Sequence, residues 1–358
     1  MAAAVLCLTR RVEFPGKRRL RRLVRLPDAG VHEVELGGSR LRLDLSESLH
    51  RDYYFGLRDQ VELGLIRRLL ARGGDFVDVG AHVGLYTVCA ARLLRGRGRV
   101  LAIEPNPVAC ARLQENVAIN DCANVVVDAA AATSADGHAL LHVPTNGDAA
   151  WSSLVDGRVP ASETVWVETK TLDAELERHA LRPSVVKIDV EGCESDVLRG
   201  APSLLERRPA LLIELVETNA RRVVSALGRL GYCVARAGTR HLERWPSNPG
   251  SSNAVFLQPW QLALLRPRER RAFARREEHV VGQARPAGRK LVDEARDGPW
   301  GPDERRDRAE PFSGDRDDLE ARVLDELAEE PWSERPHVTE VDAVMESMLE
   351  GIRIPAEQ

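Results

Sequence analysis

Residues 76–87 read FVDVGAHVGLYT, and this stretch decides the fold. An apolar run (Phe76, Val77, Val79) carries an acid, Asp78, near its end. A loop with two glycines follows, Gly80 and Gly84, and then an apolar stretch with Leu85, Val88, Ala90, Ala91 and Leu94. That is a strand, a tight turn and a helix start. The small residues Gly80, Ala81 and Gly84 predict a loop whose backbone a ligand approaches closely. The helix behind it turns unpaired N–H groups and a positive dipole end toward that ligand.

Working outward, RVLAIE (99–104) is a second apolar strand, ending in Glu104, 26 residues after Asp78. An acid at the tip of the second strand of a βαβ unit is placed to accept hydrogen bonds from ribose hydroxyls. A structural βαβ turn with an N-capping acid is the plainer account of either feature alone. GAHVG does not follow G-x-G-x-x-G, and no second nucleotide half is present. The expected ligand is one nucleoside with a charged tail, and S-adenosylmethionine fits: adenosine plus an amino-acid end.

Strand and helix patterns alternate along the chain. Apolar residues three and four apart in 61–72 predict a helix that stops at Gly73–Gly74. Strands follow at 76–79, 99–104, 124–128, 138–143, 165–172, 184–190, 210–216, 231–237 and 253–257. Helices are expected at 85–95, 107–119, 173–180, 194–206 and 219–230. The alternation predicts an α/β, Rossmann-like domain whose mostly parallel, seven-stranded sheet has helices on both faces. Ahead of it, VHEVELGG and SRLRLDLS flank a Gly37–Gly38 turn and predict a β-hairpin. The expected division is a basic segment with its hairpin in 1–50, an S-adenosylmethionine-binding α/β domain in 51–259 and a charged extension in 260–358.

The combination of DVGAHVGLYT (78–87), VLAIEPNP (100–107), ENVAIN (115–120), VVKIDVEGCESDVLRGA (185–201) and PALLIELVE (209–217) resembles the FkbM-type S-adenosylmethionine-dependent methyltransferases. YYFGLRDQVELGLIRRLL (53–70) and SSNAVFL (251–257) are similar to that family's flanks, so the resemblance covers about 50–258. KIDVEG is its most specific piece. The family usually has Asn where this chain has His82, and Tyr-Glu where it has Arg58–Asp59. The resemblance implies a class I fold, S-adenosylmethionine as cofactor and an O-methyltransferase acting on a hydroxyl of a sugar, polyketide or other specialised metabolite.

Methyl transfer from a sulfonium is a direct displacement that needs nucleophile, methyl and sulfur in line. A hydroxyl acceptor also needs a base. Asp78, Gly80, Ala81 and Gly84 are expected around the cofactor's amino-acid end and Glu104 at the ribose. Asn106 is expected near the adenosine and Asp128 near the adenine amino group, though Asp also favours plain turns. His82 is a candidate base or cofactor contact, although a lone loop histidine is more often plain polar surface. Lys187 and Asp189 alternate on one face of a central strand whose tip points into the cleft. Asp189 ends an apolar strand, so it is the leading catalytic candidate, with Lys187, Glu191 and Glu214 beside it. Helix-dipole stabilisation suffices for Glu194 and Asp196, and a rim salt bridge is the plain account of Glu214. Trp151, Ser152 and Ser153 sit in a polar loop of the kind that covers an acceptor. No metal is assigned: Asp189, Glu191 and Glu214 offer oxygens, but no ligand spacing demands an ion.

Composition narrows the classes. With 358 residues and 43% apolar content, the chain can build one sizeable α/β core. A net charge of −4 and 4% aromatics give no basic field and no stacking platform for nucleic acid. Six scattered cysteines without a CxxC read as reduced, buried small hydrophobes. No secretory signal or membrane-spanning stretch is apparent, which predicts a cytoplasmic protein. Residues 10–25 hold eight Lys/Arg against one acid, a solvated face or an anionic contact. Residues 301–358 hold 18 acids against seven Arg/Lys. Within that extension, apolar residues at helical spacing between 319 and 352, behind a Thr339-x-x-Asp342 start, predict helices that pack back, form a homo-oligomer or dock a protein partner. Two other readings stay open: N-methyl or carboxyl O-methyl transfer to a peptide or carrier-bound substrate, and a methyltransferase-like binding protein that recruits a partner through its tail.

Overall fold

The computed structural model describes residues 27–145, 151–159, 162–247 and 250–273. The basic segment 10–25, the acidic stretch 301–358 and the helices expected within 319–352 lie outside the described residues.

Strands β1 (Val31–Leu36) and β2 (Ser39–Asp44) form the expected hairpin around Gly37–Gly38. Helices α1 (Ser48–Tyr54) and α2 (Gln60–Leu69) lead into β3 (Asp75–Val79). Then come α3 (Leu85–Leu94), β4 (Val100–Ile103), α4 (Pro107–Ile119) and β5 (Val125–Asp128). Three further strands follow, β6 (Ala131–Thr133), β7 (Gly137–Pro144) and β8 (Ser162–Thr171), then α5 (Leu172–Arg178) and β9 (Pro183–Ile188). The domain continues through α6 (Glu194–Arg199), α7 (Pro202–Glu206), β10 (Ala210–Leu215), α8 (Glu217–Arg229), β11 (Cys233–Ala237), β12 (Leu242–Arg244) and β13 (Ser252–Leu257).

Among the described residues the main sheet is eight-stranded, in the order β12-β11-β13-β10-β9-β3-β4-β5, and β6-β8-β7 form a separate three-stranded sheet. The expected seven strands are present; the eighth, β12, is a three-residue edge strand antiparallel to β11. Strands β10, β9, β3, β4 and β5 are parallel, and β13 turns the sheet antiparallel beside β10. The order reverses between β3 and β9, which makes that junction the switch point where ligands bind in open α/β sheets.

The central strands are apolar on both faces and sort by period two. Phe76, Val185 and Leu212 enter a core cluster with the hairpin and α2 and α3. Val77, Val186 and Leu211 enter the opposite cluster with α5 to α8. The hairpin is tied in as well as packed. Arg42 N–H donates to Asn116 Oδ1 at 2.6 Å and Arg40 N–H to Asn120 Oδ1 at 2.9 Å. Both asparagines belong to the ENVAIN segment.

The single helix expected over 194–206 is two helices. Pro202 has no N–H to continue the first, and a side chain at Gly200 would lie 2.0 Å from the Thr133 carbonyl oxygen. Helix α1 has only a short, polar-interrupted apolar pattern and was not expected. Downstream of β13, Leu265, Ala272 and Phe273 are buried in the same cluster as the hairpin.

Candidate active site

Side-chain parity brings the candidate residues together. Asp78 shares the face of Phe76, and register pairs it with Lys187. Asp189 follows Lys187 by two residues, and Glu214 follows Leu212, Lys187's partner on β10. Glu104 shares the face of Ala102, Asp78's partner on β4, and Glu214 pairs with Asn253 on β13. Five neighbouring strands therefore carry a polar row to their tips on the face covered by the hairpin and the first three helices. The row meets a cleft of about 1470 Å³, open mouth included, which also takes in Arg58, Asp59, Glu62, Tyr86 and the loop residues Trp151–Leu154.

Glu104 stands in one half of the cleft. Its Oε2 accepts the His82 backbone N–H at 2.7 Å and its Oε1 accepts the Asn106 N–H at 2.9 Å. Burial lifts its carboxyl to about 7 against those two donors. A carboxylate has about four acceptor positions, so lone pairs remain for ribose hydroxyls. Ala81 and His82 line the cleft beside it. These residues fit the nucleoside end of S-adenosylmethionine.

Lys187 organises the other half. Its Nζ lies 3.0 Å from Asp189 Oδ2 and 3.7 Å from Asp78 Oδ1, over the ring of Tyr86. Burial pulls the ammonium down, but Asp189 and Asp78 outweigh it and raise Lys187 above the ordinary lysine value. Burial likewise raises Asp189, and Lys187 outweighs it, holding Asp189 below the usual carboxylate range. The charge of Asp189, then burial, pushes its hydrogen-bond partner Glu214 up to about 9. At neutral pH Glu214 is thus a protonated acid beside an ionised one. Glu191, on left-handed backbone (φ 52°), is bound to Arg158 at 2.7 Å.

Several candidates stand elsewhere than expected. Asp78 is fully buried behind the cleft wall, where it accepts the Thr87 hydroxyl at 2.6 Å and faces Lys187. Gly80 serves a chain crossing: at φ 72° a Cβ would lie 1.7 Å from the Asp189 carbonyl oxygen. Gly84 (φ 85°) stands against Leu113. Asn106 caps α4, accepting from the Val108 and Ala109 N–H groups, and donates to Ser152 Oγ. Asp128 has the parity of Val126 and so faces the other side of the sheet, where Lys170 holds it at 2.9 Å. Glu194 is fully buried and accepts the Gly192 N–H and the Asn219 amide.

Sequence reasoning passed over the role of α2. Glu62 accepts from Asn253 Nδ2 at 2.9 Å, and burial, with Asp59 adding to it, lifts it to about 7. An acid in an otherwise apolar helical stripe was the available signal. His82 is held neutral: burial, and next His50, push it down to about 3. Cys89, Cys110, Cys122 and Cys193 are buried thiols as expected. Among the described residues, no helix is long and apolar enough to cross a membrane.

A glycine-bounded loop at the switch point, with an acid at the tip of the next strand, is the arrangement of a class I S-adenosylmethionine-dependent methyltransferase. Within that class, residues 78–233 match the family described as "Methyltransferase FkbM domain". A search of curated proteins returned no match. Among solved structures, the chain is similar to the precorrin-6y C5,15-methyltransferase from Geobacter metallireducens GS-15. Identity is 16%, over 56% of this chain and 90% of that one, with a TM-score of 0.35. It is also similar to TYW2 of M. jannaschii in complex with AdoMet, at 17% identity over 65% and 87% of the two chains, TM-score 0.36.

Proposed function

We propose that this enzyme methylates a hydroxyl oxygen of a small-molecule or glycan acceptor, such as a sugar, a polyketide or another specialised metabolite. The observation that carries this reading is Asp189 in the acceptor half of the cleft, held ionised 3.0 Å from Lys187 and hydrogen-bonded to the protonated Glu214. A carboxylate acceptor, or the phosphate of a nucleic acid, would meet that ionised group at close range. An amine would be held there as its ammonium, which has no lone pair to attack with. A neutral hydroxyl meets neither obstacle and finds a group that can take its proton.

S-adenosylmethionine supplies an electrophilic methyl group when bound. Glu104 would hold the ribose, and the loop of Gly80, Ala81 and His82 would face the rest of the nucleoside. Asp189, kept ionised by Lys187, would accept the hydrogen bond of the acceptor hydroxyl and take its proton as the oxygen is alkylated. Protonated Glu214 donates to Asp189 and fixes which oxygen is left to accept. Glu191 and its partner Arg158 would border the acceptor.

Incubation with methyl-labelled cofactor and an extract rich in hydroxylated metabolites tests the proposal. Label in an alkali-stable methyl ether is expected. Label in an alkali-labile ester or an N-methyl group would overturn it.

A further inference from the structure

Beside the cleft, two elements that are distant in sequence bring together donors that the methyl-transfer chemistry does not use. We propose that Glu47, His50 and His82 hold a divalent transition-metal ion that ties α1 to the cofactor loop. Glu47 and His50 are three residues apart at the start of α1, so both project from one side of the helix. His82 arrives from the loop between β3 and α3. One ligand atom from each residue falls within 4.8 Å of the other two. Glu47 Oε1 is 3.3 Å from His50 Nδ1, Glu47 Oε2 is 3.9 Å from His82 Nε2, and the imidazole rings are 5.1 Å apart. Donors about 2.0–2.2 Å from a tetrahedral ion lie roughly 3.3 Å apart, so a small contraction closes the set.

Two observations point to an ion rather than to plain packing. Both ring nitrogens of His82 are buried without a hydrogen-bond partner. An imidazole stripped of water and given nothing in return is rare in a folded core, and an ion supplies what is missing. The His50 ring, itself buried, is also held in place: its Nδ1 lies 3.2 Å from the Asp44 amide nitrogen and 3.1 Å from the Asp44 carbonyl oxygen. These backbone contacts fix the orientation of the ring beside Glu47, as outer contacts do for metal-binding histidines. Two neutral imidazoles with one carboxylate suit Zn²⁺, Co²⁺ or Fe²⁺ better than Mg²⁺ or Ca²⁺, which prefer oxygen. Asp189, Glu191 and Glu214 also stand close together, but Lys187 and Arg158 already compensate them.

The test is a Co²⁺ titration of the full chain after treatment with a chelator, followed by visible d–d absorption. One equivalent is expected to bind and give ligand-field bands. Glu47→Gln and His50→Gln should each lose those bands and weaken Co²⁺ binding at least tenfold, with circular dichroism reporting the fold. His82→Asn, on the other element, carries the same expectation should an α1 variant fail to fold. Absence of stoichiometric binding by the wild type, or binding undiminished in the folded variants, overturns the proposal. So does a thiolate-to-cobalt charge-transfer band, which would place the ion on cysteine.

Discussion

The carboxylate of Glu104 accepts the backbone N–H of His82 at 2.7 Å, across the gap between the tips of β4 and β3. Its other oxygen accepts the N–H of Asn106, whose side chain caps α4. One acid thus positions the loop after β3 and the start of the next helix, and in the proposed function it also holds the ribose. Glu104→Ala should weaken S-adenosylmethionine binding by about 1.5–3 kcal/mol, the scale of lost charged hydrogen bonds. Calorimetry reads this directly, and an unchanged Kd would remove Glu104 from the cofactor site.

The raised acids make stability depend on pH. Glu214 is lifted to about 9, and Glu62 and Glu104 to about 7, from ordinary values near 4.5. Each has a folded-state pKa above its unfolded one, so the folded protein binds more protons and loses stability as pH rises between the two values. His82 acts oppositely, because its folded value of about 3 lies below 6.5 and its effect is complete by that pH. From pH 6.5 to 9 the acids act alone, and stability should fall by several kcal/mol, most of it from Glu214. Urea midpoints across that range check the slope. Glu214→Gln should flatten it above pH 7.5, and an unchanged slope would show that Glu214 is ionised in the fold.

Asp189→Asn removes the charge that sits 3.0 Å from Lys187 and keeps the shape. The enzyme should lose about 10²–10⁴-fold in turnover, the range of a missing general base. Cofactor affinity should stay within a few fold, because the ribose contact on β4 is untouched. A matched loss of both would move Asp189 to the cofactor side, and full turnover would take it out of the mechanism.

Much of this site was legible because strand tips are. An acid closing an apolar strand is conspicuous in Asp78, Glu104, Asp189 and Glu214, and period two then assigns each to a face. What escaped was set by register and burial. Asp128 looked equivalent to Glu104, but it has the parity of Val126 and emerges on the far face, opposite Lys170. Gly80 looked like room for a ligand, and the space is filled by the backbone of Asp189 arriving from β9. Glu62 and Asn253 are 191 residues apart, and only the fold brings α2 to the start of β13, where they meet. Nothing local in a sequence reports such a meeting.

The final prediction concerns the downstream limit of the catalytic unit. Leu265, Ala272 and Phe273 are buried with the hairpin and α2 and α3. Arg68 of α2 also pairs with Glu269 at 2.7 Å. A chain cut after residue 264 would lose those buried side chains, each worth about 1.5–3 kcal/mol for the larger ones. It should unfold or lose several kcal/mol in a urea titration. A chain cut after residue 282 keeps them and should bind S-adenosylmethionine with unchanged affinity. If the apolar spacing between 319 and 352 serves a second copy or another protein, the same cut should lower the mass seen by light scattering or abolish capture of that partner. Loss of cofactor binding on cutting at 282 would mean that the domain takes part of its core from farther along the chain.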